Sequence, residues 1–218
     1  MEPVRPRLPW VAALEVALVA VVVLLDLAIP SLVVLVLAGL SLAVRRAGPT
    51  SLGFRRLAGG GRTVAAIVGL TLVWTVLQFG IVMPVLNRAT GSEQDLSGFD
   101  ELEGDLGLLV VLLVASWTLA AVCEEAAFRG YLLTRATEAV GTGAVAVASG
   151  VLVSSVLFGL LHTEQGTVGV ALSALDAAFF AVLRLRFHSV WAAVVAHGTS
   201  NTIGLVTVFL LGPVHGLW

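Results

Sequence analysis

The chain has 218 residues, of which 58% are hydrophobic and 12% are charged, and its mean hydropathy is +1.03. Soluble domains carry about 25% charged residues, so this composition excludes a soluble enzyme and a disordered tail and is typical of a protein in a lipid bilayer. The net charge of −2 gives no argument for nucleic-acid binding. The single cysteine, Cys123, excludes an internal disulfide and a cysteine-rich metal site.

A helix needs about 20 mostly apolar residues to span a membrane. The sequence contains seven such segments, which predicts an all-α, polytopic bundle of about seven transmembrane helices (six to eight) in a single domain, 1–218. The predicted spans are 9–29, 27–44, 63–87, 106–123, 139–161, 166–183 and 190–211. Arg5 and Arg7 precede the first span as in a signal peptide, but no small-residue cleavage site follows. Since Glu15 also interrupts the run, we interpret it as a retained helix.

The arginines are distributed unevenly between the predicted connections. The chain has no lysine, and the connections after the second, fourth and sixth helices carry Arg45, Arg46, Arg55, Arg56, Arg62, Arg129, Arg135, Arg184 and Arg186. The connection 88–105 has Arg88 followed by six acidic residues, and it could gate access or bind a partner. The positive-inside rule then predicts a multi-pass plasma-membrane protein with a cytoplasmic N-terminus and an external C-terminus.

Three motifs place polar side chains one helical turn apart. In the first, Glu125 and Arg129 are four residues apart and can form an ion pair on one face of the fourth helix. Glu124 points about 100° away from Glu125 and is free to act as a general base. The alternative is that these charges form the solvated, interfacial end of the fourth helix.

The second motif is Phe158 with His162, and the third is His197 with Asn201. Ionisable residues inside apolar spans usually face a polar cavity and mark function, and His197 lies inside such a span. The alternatives are that His162 is an ordinary helix-end residue and that His197 and Asn201 only hydrogen-bond between helices. His162 is not part of a His-Glu-x-x-His zinc motif, because residue 166 is glycine.

Asp176 is a further acidic residue in the middle of a predicted span, and the sequence shows no partner for it. A small transporter or channel could use Glu124, Asp176 and His197 as a proton relay. Transporters often have internal symmetry between their halves. Residues 1–105 contain no equivalent of the Glu-Glu motif, which argues against a transporter.

Glu-Glu-x-x-x-Arg, Phe-x-x-x-His and His-x-x-x-Asn, in this order on three membrane helices, resemble the CAAX protease and bacteriocin-processing (CPBP) family of intramembrane endopeptidases. The motif-bearing core of the resemblance is about 106–211. The resemblance implies hydrolysis of a peptide bond at or near the cytoplasmic membrane face. Glu124 and His162 would activate a water, and the developing oxyanion would accept hydrogen bonds from His197 and Asn201. Supporting roles would fall to Glu125, Arg129 and Phe158.

The resemblance leaves the role of a metal open, because the family has been interpreted both as metalloproteases and as metal-independent glutamate proteases. Glu124, His162 and His197 would supply a zinc site with water in the fourth position. A metal-free mechanism requires only hydrogen bonds from these groups to a shared water. The sequence favours neither mechanism.

The predicted spans pose a geometric problem for either mechanism. Simple alternation of the helices places Glu124 near the cytoplasmic end of the fourth helix and His162 near the far end of the fifth. The two can meet only if the fifth helix begins deeper than residue 139, is broken at its glycines, or is slanted. The glycines available for a break are Gly141, Gly143 and Gly150.

The resemblance implies a membrane-associated peptide or protein as substrate, in CAAX-type processing, bacteriocin maturation or self-immunity. The alternative function is a non-catalytic membrane scaffold or chaperone of the same fold. Such a protein would be expected to lack Glu124, His162 or His197, and all three are present. The sequence does not indicate the oligomeric state.

Overall fold

The computed structural model describes residues 8–218, and every regular element in this part of the chain is helical. Its principal helices are α1, Pro9–Leu24; α2, Pro30–Arg45; α3, Gly61–Thr90; α4, Leu106–Val140; α5, Ala144–Leu160; α6, Thr163–Arg186; and α7, Val190–Leu211. Four of these, α3, α4, α6 and α7, are long and apolar enough to cross a membrane, and the other three are shorter apolar helices. The protein is therefore an all-α, polytopic membrane bundle, as predicted. Arg5 and Arg7 lie outside the described residues.

The bundle exposes apolar side chains and buries several charged ones. Val44 and Val145 are 83% and 75% exposed, as expected of helices surrounded by lipid, while Glu125, Arg129 and His197 are buried. Charges are costly inside a bilayer, so they are found where protein encloses them and pairs them. We therefore expect the functional residues to lie in the polar interior of the bundle.

Helix α4 does not end where its apolar sequence ends. The predicted span is 106–123, but the helix continues to Val140 because the segment after Glu124 is enclosed by other helices. Ser116–Glu124 and Ala126–Leu132 are wound as π-helix, a winding that is frequent at functional sites. The alternative of a solvated helix end at the Glu-Glu motif is wrong, since Glu125, the second glutamate of this motif, is fully buried.

The length of α4 explains how Glu124 and His162 meet. Glu124 lies 16 residues before Val140, and His162 lies 18 residues after Ala144, where α5 begins. At 1.5 Å per residue these distances are about 24 Å and about 27 Å. The antiparallel helices therefore bring both side chains to a similar distance from the turn that joins α4 to α5.

Two glycines allow α5 to lie close to both neighbouring helices. A Cβ at Gly159 would lie 2.7 Å from the carbonyl oxygen of Val170 and 2.9 Å from the Cβ of Ala174, both on α6. A Cβ at Gly150 would lie 2.9 Å from the carbonyl oxygen of Leu133 on α4. Gly150 does not break α5, which is continuous from Ala144 to Leu160. These glycines instead set the packing that places the second motif.

An ionic network joins α1, α2 and α4. Arg45 contacts Glu15 at 2.8 Å and Glu138 at 2.9 Å, and Arg135 contacts the same two carboxylates at 3.3 Å and 2.7 Å. All four side chains are at most 20% exposed. The network ties the two N-terminal helices to the end of α4, which supports the helix that carries the first motif.

Replacing Gly159 with alanine should separate α5 from α6, because the added methyl group meets backbone that cannot rotate away. We expect a loss of about 1–3 kcal/mol in the free energy of unfolding, as for other overpacked interiors. Thermal unfolding in detergent measures the change. Gly69→Ala is the matched control, since a Cβ there meets nothing within 4 Å. Equal stability of the two variants would contradict this account of the packing.

Candidate active site

A cavity of about 520 Å³ lies between the helices and contains the candidate catalytic side chains. The residues predicted as catalytic that line it are Glu124, His162, His197 and Asn201. Phe158 of the second motif also lines the cavity, whereas Glu125 and Arg129 lie behind its wall. The structure thus brings together four side chains from three helical regions that lie up to 77 positions apart in the sequence.

The buried carboxylate of Glu125 connects the first motif to the third. Its Oε1 lies 2.9 Å from Nη1 of Arg129 and 2.8 Å from Nδ1 of His197. The side chains of Glu125 and Arg129 are fully buried, and His197 is 5% exposed. The predicted ion pair of Glu125 and Arg129 is therefore present. The contact with His197 was not predicted, and it shows that Glu125 also holds a cavity side chain in place.

The ring of Phe158 connects the second motif to the other two. The guanidinium carbon of Arg129 lies 4.1 Å from the Phe158 ring centroid, a cation–π contact. The same ring lies 4.8 Å from the ring of His162 and 6.0 Å from that of His197. Phe180 of α6 stacks on His197 from another direction, at 5.2 Å with an interplanar angle of 16°. The second-motif phenylalanine therefore packs against both other motifs.

Hydrogen bonds determine which nitrogen of each histidine is available to the cavity. Nδ1 of His162 lies 3.0 Å from the carbonyl oxygen of Phe158, and Nδ1 of His197 lies against the Glu125 carboxylate. A carbonyl and an ionised carboxylate can only accept, so we assign the proton to Nδ1 in both rings. Nε2 of each neutral ring is then an acceptor, and it becomes a donor only when the ring is doubly protonated.

Glu124 lines the same cavity as both histidines. Glu124 is partly exposed to the cavity, whereas Glu125 is enclosed. The two adjacent glutamates therefore have different surroundings, and only Glu124 is placed to contact a molecule in the cavity.

The donor set does not fit a metal ion as the side chains stand. Among residues 8–218, no three His, Cys, Asp or Glu side chains are grouped to hold one ion. Zinc would require Glu124, His162 and His197 to converge to about 2 Å from a single point. These three line a common cavity without such convergence, so we derive no step through a metal.

Sequence reasoning missed two contacts that shape the cavity. The indole nitrogen of Trp74 on α3 donates to Oδ1 of Asp176 at 2.6 Å. Gly198 lies so close to the ring of Trp117 on α4 that a Cβ there would approach it to 2.6 Å. Gly198, directly after the motif histidine His197, was a sequence signal for close packing. No sequence feature indicated that Trp117 packs against it or that Trp74 binds Asp176.

One protein family matches the part of the chain that carries the three motifs. The model of the family described as type II CAAX prenyl endopeptidase Rce1-like matches residues 106–203. This segment begins at the first residue of α4 and ends in α7 just after Asn201. The resemblance found from the motifs is therefore confirmed. No curated protein and no solved structure matches the chain.

Arg129→Met should be strongly destabilising, because it leaves the buried Glu125 carboxylate without its cation. Breaking a buried pair from one side costs about 3–5 kcal/mol, and thermal unfolding in detergent measures the loss. The double variant Glu125→Gln with Arg129→Met removes both charges and should be more stable than Arg129→Met alone. A double variant that is less stable than the single one would contradict this electrostatic account.

Proposed function

We propose that the chain is an intramembrane endopeptidase, because residues 106–203 match the model of the Rce1-like family of type II CAAX prenyl endopeptidases. It hydrolyses a peptide bond of a membrane-associated peptide or protein, in CAAX-type processing, bacteriocin maturation or self-immunity. The observation that carries the proposal is the convergence of a carboxylate, two oriented imidazoles and an amide on one cavity between the helices.

In the proposed reaction, Glu124 and His162 activate a water. The Glu124 carboxylate takes one proton while Nε2 of His162 accepts the second hydrogen of the same water and orients it. The water oxygen forms a bond to the carbonyl carbon of the substrate. The C–N bond then breaks, and the proton held by Glu124 passes to the departing nitrogen, which gives a carboxylic acid and an amine.

Asn201 and His197 stabilise the oxyanion of the tetrahedral intermediate. The side-chain amide of Asn201 donates without any change of protonation. His197 already donates from Nδ1 to Glu125, so it donates from Nε2 only as an imidazolium. The buried carboxylate stabilises that cation and fixes the ring orientation, much as an acidic residue does for the histidine of a catalytic triad. Glu125 is thus a positioning residue.

The cavity extends from the catalytic side chains toward one end of the bundle. His197 lies seven residues into α7, about 10 Å from the end near Arg186. The opposite part of the cavity is lined by Gln94, Leu96 and Phe99 of the acidic connection. In the orientation with a cytoplasmic N-terminus, the catalytic groups lie in the cytoplasmic half of the plasma membrane, and the cavity leads from them toward the acidic connection.

Glu124→Gln should abolish hydrolysis, because the amide cannot accept the proton of the water. We expect a fall of about 100- to 10,000-fold in the cleavage rate of fluorogenic membrane peptides by purified protein. Glu101→Gln, an exposed position in the acidic connection, is the matched control and should cleave normally. Equal cleavage by Glu124→Gln and wild type would refute the role of Glu124, and cleavage by neither protein would favour the scaffold function.

The same assay with a chelator tests the metal-free form of the mechanism. We expect wild-type activity to persist after prolonged treatment with a zinc chelator, because the proposed steps use protein groups alone. Activity that is lost with chelator and restored by zinc would overturn the metal-free mechanism. It would also indicate that the side chains rearrange to bind an ion.

Asn201→Ala should lower kcat by about 100- to 1,000-fold with little change in KM, as expected when an oxyanion donor is removed. The neighbouring Thr199→Val is the control, since its hydroxyl bonds the carbonyl of Val195 on the same helix and does not line the cavity. Steady-state kinetics on one peptide gives both constants. A change confined to KM would assign Asn201 to substrate binding instead.

A further inference from the structure

Asp176 lines the catalytic cavity, yet the proposed hydrolysis gives it no task. It lies on α6, and the catalytic groups come from α4, α7 and the end of α5. Within residues 8–218 its carboxylate has no arginine or histidine within ion-pair distance. An ionisable group inside a membrane protein is costly and usually marks a functional site, so Asp176 is a candidate for a further role.

The position of Asp176 relates it directly to the catalytic groups. Asp176 and Phe180 are one helical turn apart on α6, and both line the cavity. The ring of Phe180 stacks on His197, so the aspartate lies about one turn beyond a catalytic side chain. Leu172, one turn further along α6, also lines the cavity. A peptide bound at His197 that extends along this face of α6 would pass Asp176.

Contacts with α3 hold the carboxylate in place without neutralising it. Trp74 donates from its indole nitrogen to Oδ1 at 2.6 Å. The indole is itself fixed by stacking on Phe179, with ring centroids 5.1 Å apart. Indole is a donor only and carries no charge. The contact therefore orients Asp176 as an acceptor and supplies no cation to it.

The charge of the cavity favours a cation as the ligand of Asp176. Within the described part of the chain, the ionisable side chains that line the cavity are the carboxylates of Glu124 and Asp176 and the imidazoles of His162 and His197, and no arginine lines it. The guanidinium of Arg129 is fully buried behind the cavity wall and contacts Glu125. Most other lining residues are apolar, among them Leu172 and Phe99. The cavity thus combines an apolar wall with a fixed carboxylate, that of Asp176, which has no task in the proposed hydrolysis.

We propose that Asp176 is a specificity-determining residue that binds a lysine or arginine side chain of the substrate close to the scissile bond. This inference rests on the proposed endopeptidase function and names its substrate class: an apolar, membrane-embedded peptide segment that carries one basic residue next to the cleavage site. The basic side chain supplies the cation that Asp176 lacks, and the apolar residues on either side fill the rest of the cavity. Electrostatic complementarity of this kind selects between otherwise similar ligands.

Matched peptides test the selectivity. Three fluorogenic peptides share one apolar sequence and carry lysine, norleucine or glutamate next to the scissile bond. Wild type should cleave the lysine peptide with a kcat/KM about tenfold or more above that of the norleucine peptide, with the glutamate peptide slowest. Asp176→Asn should reduce the ratio of lysine to norleucine to about one. Asp100→Asn makes the same chemical change at an exposed site and should leave the ratio as in wild type.

A binding measurement separates this inference from the proposed function. On the non-cleaving Glu124→Gln protein, the lysine peptide should bind about tenfold more tightly than the norleucine peptide, and acetylation of that lysine should remove the difference. Adding Asp176→Asn should also remove it. The acetylated peptide tests the interaction without a variant at residue 176, so a folding defect of Asp176→Asn leaves the test intact.

The outcomes are distinguishable. If wild type cleaves the lysine and norleucine peptides equally, or Asp176→Asn keeps the preference, the role of Asp176 is refuted while the endopeptidase function stands. If wild type cleaves none of the peptides, the endopeptidase function is refuted, and the affinities on Glu124→Gln still decide the role of Asp176. Equal affinities for the charged and acetylated peptides, or no measurable binding of either, refute it.

Discussion

The Glu125 carboxylate is the constraint on which the rest of the site depends. One of its oxygens contacts both Arg129 and His197, so a single buried anion compensates a buried cation and orients a cavity imidazole. Phe158 lies over the arginine and beside both histidines. Removing this anion would leave the arginine uncompensated and the imidazole without its acceptor. The first motif therefore organises the second and third as well as supplying Glu124.

The adjacent glutamates Glu124 and Glu125 have different roles, although they have the same side chain and lie on the same helix. Glu125 is enclosed by protein and held by two contacts, whereas Glu124 borders the cavity. A group fixed on all sides is suited to positioning, and a group at the cavity surface can exchange a proton with a bound water. The π-wound segments that flank this pair lie where α4 must serve both purposes. Its surroundings, rather than its chemistry, give each carboxylate its role.

The sequence predicted contacts within a helix better than contacts between helices. Spacing alone indicated the pair of Glu125 and Arg129, since residues four apart share a helix face. The bonds from Glu125 to His197 and from Trp74 to Asp176 join residues 72 and 102 positions apart, and no local pattern encodes them. The end of α4 was predicted wrongly because hydropathy falls at Glu124, although protein encloses the helix beyond it. That one boundary caused the apparent mismatch in depth between Glu124 and His162.

Nitrogen-15 NMR of histidine-labelled protein in detergent micelles tests most directly whether Glu125 orients His197. The resonances are assigned by comparison with His197→Gln. We predict that the neutral ring of His197 carries its proton on Nδ1, because the carboxylate that contacts this nitrogen can only accept. A neutral ring with the proton on Nε2 would contradict the hydrogen bond to Glu125, and with it the arrangement proposed for the oxyanion site.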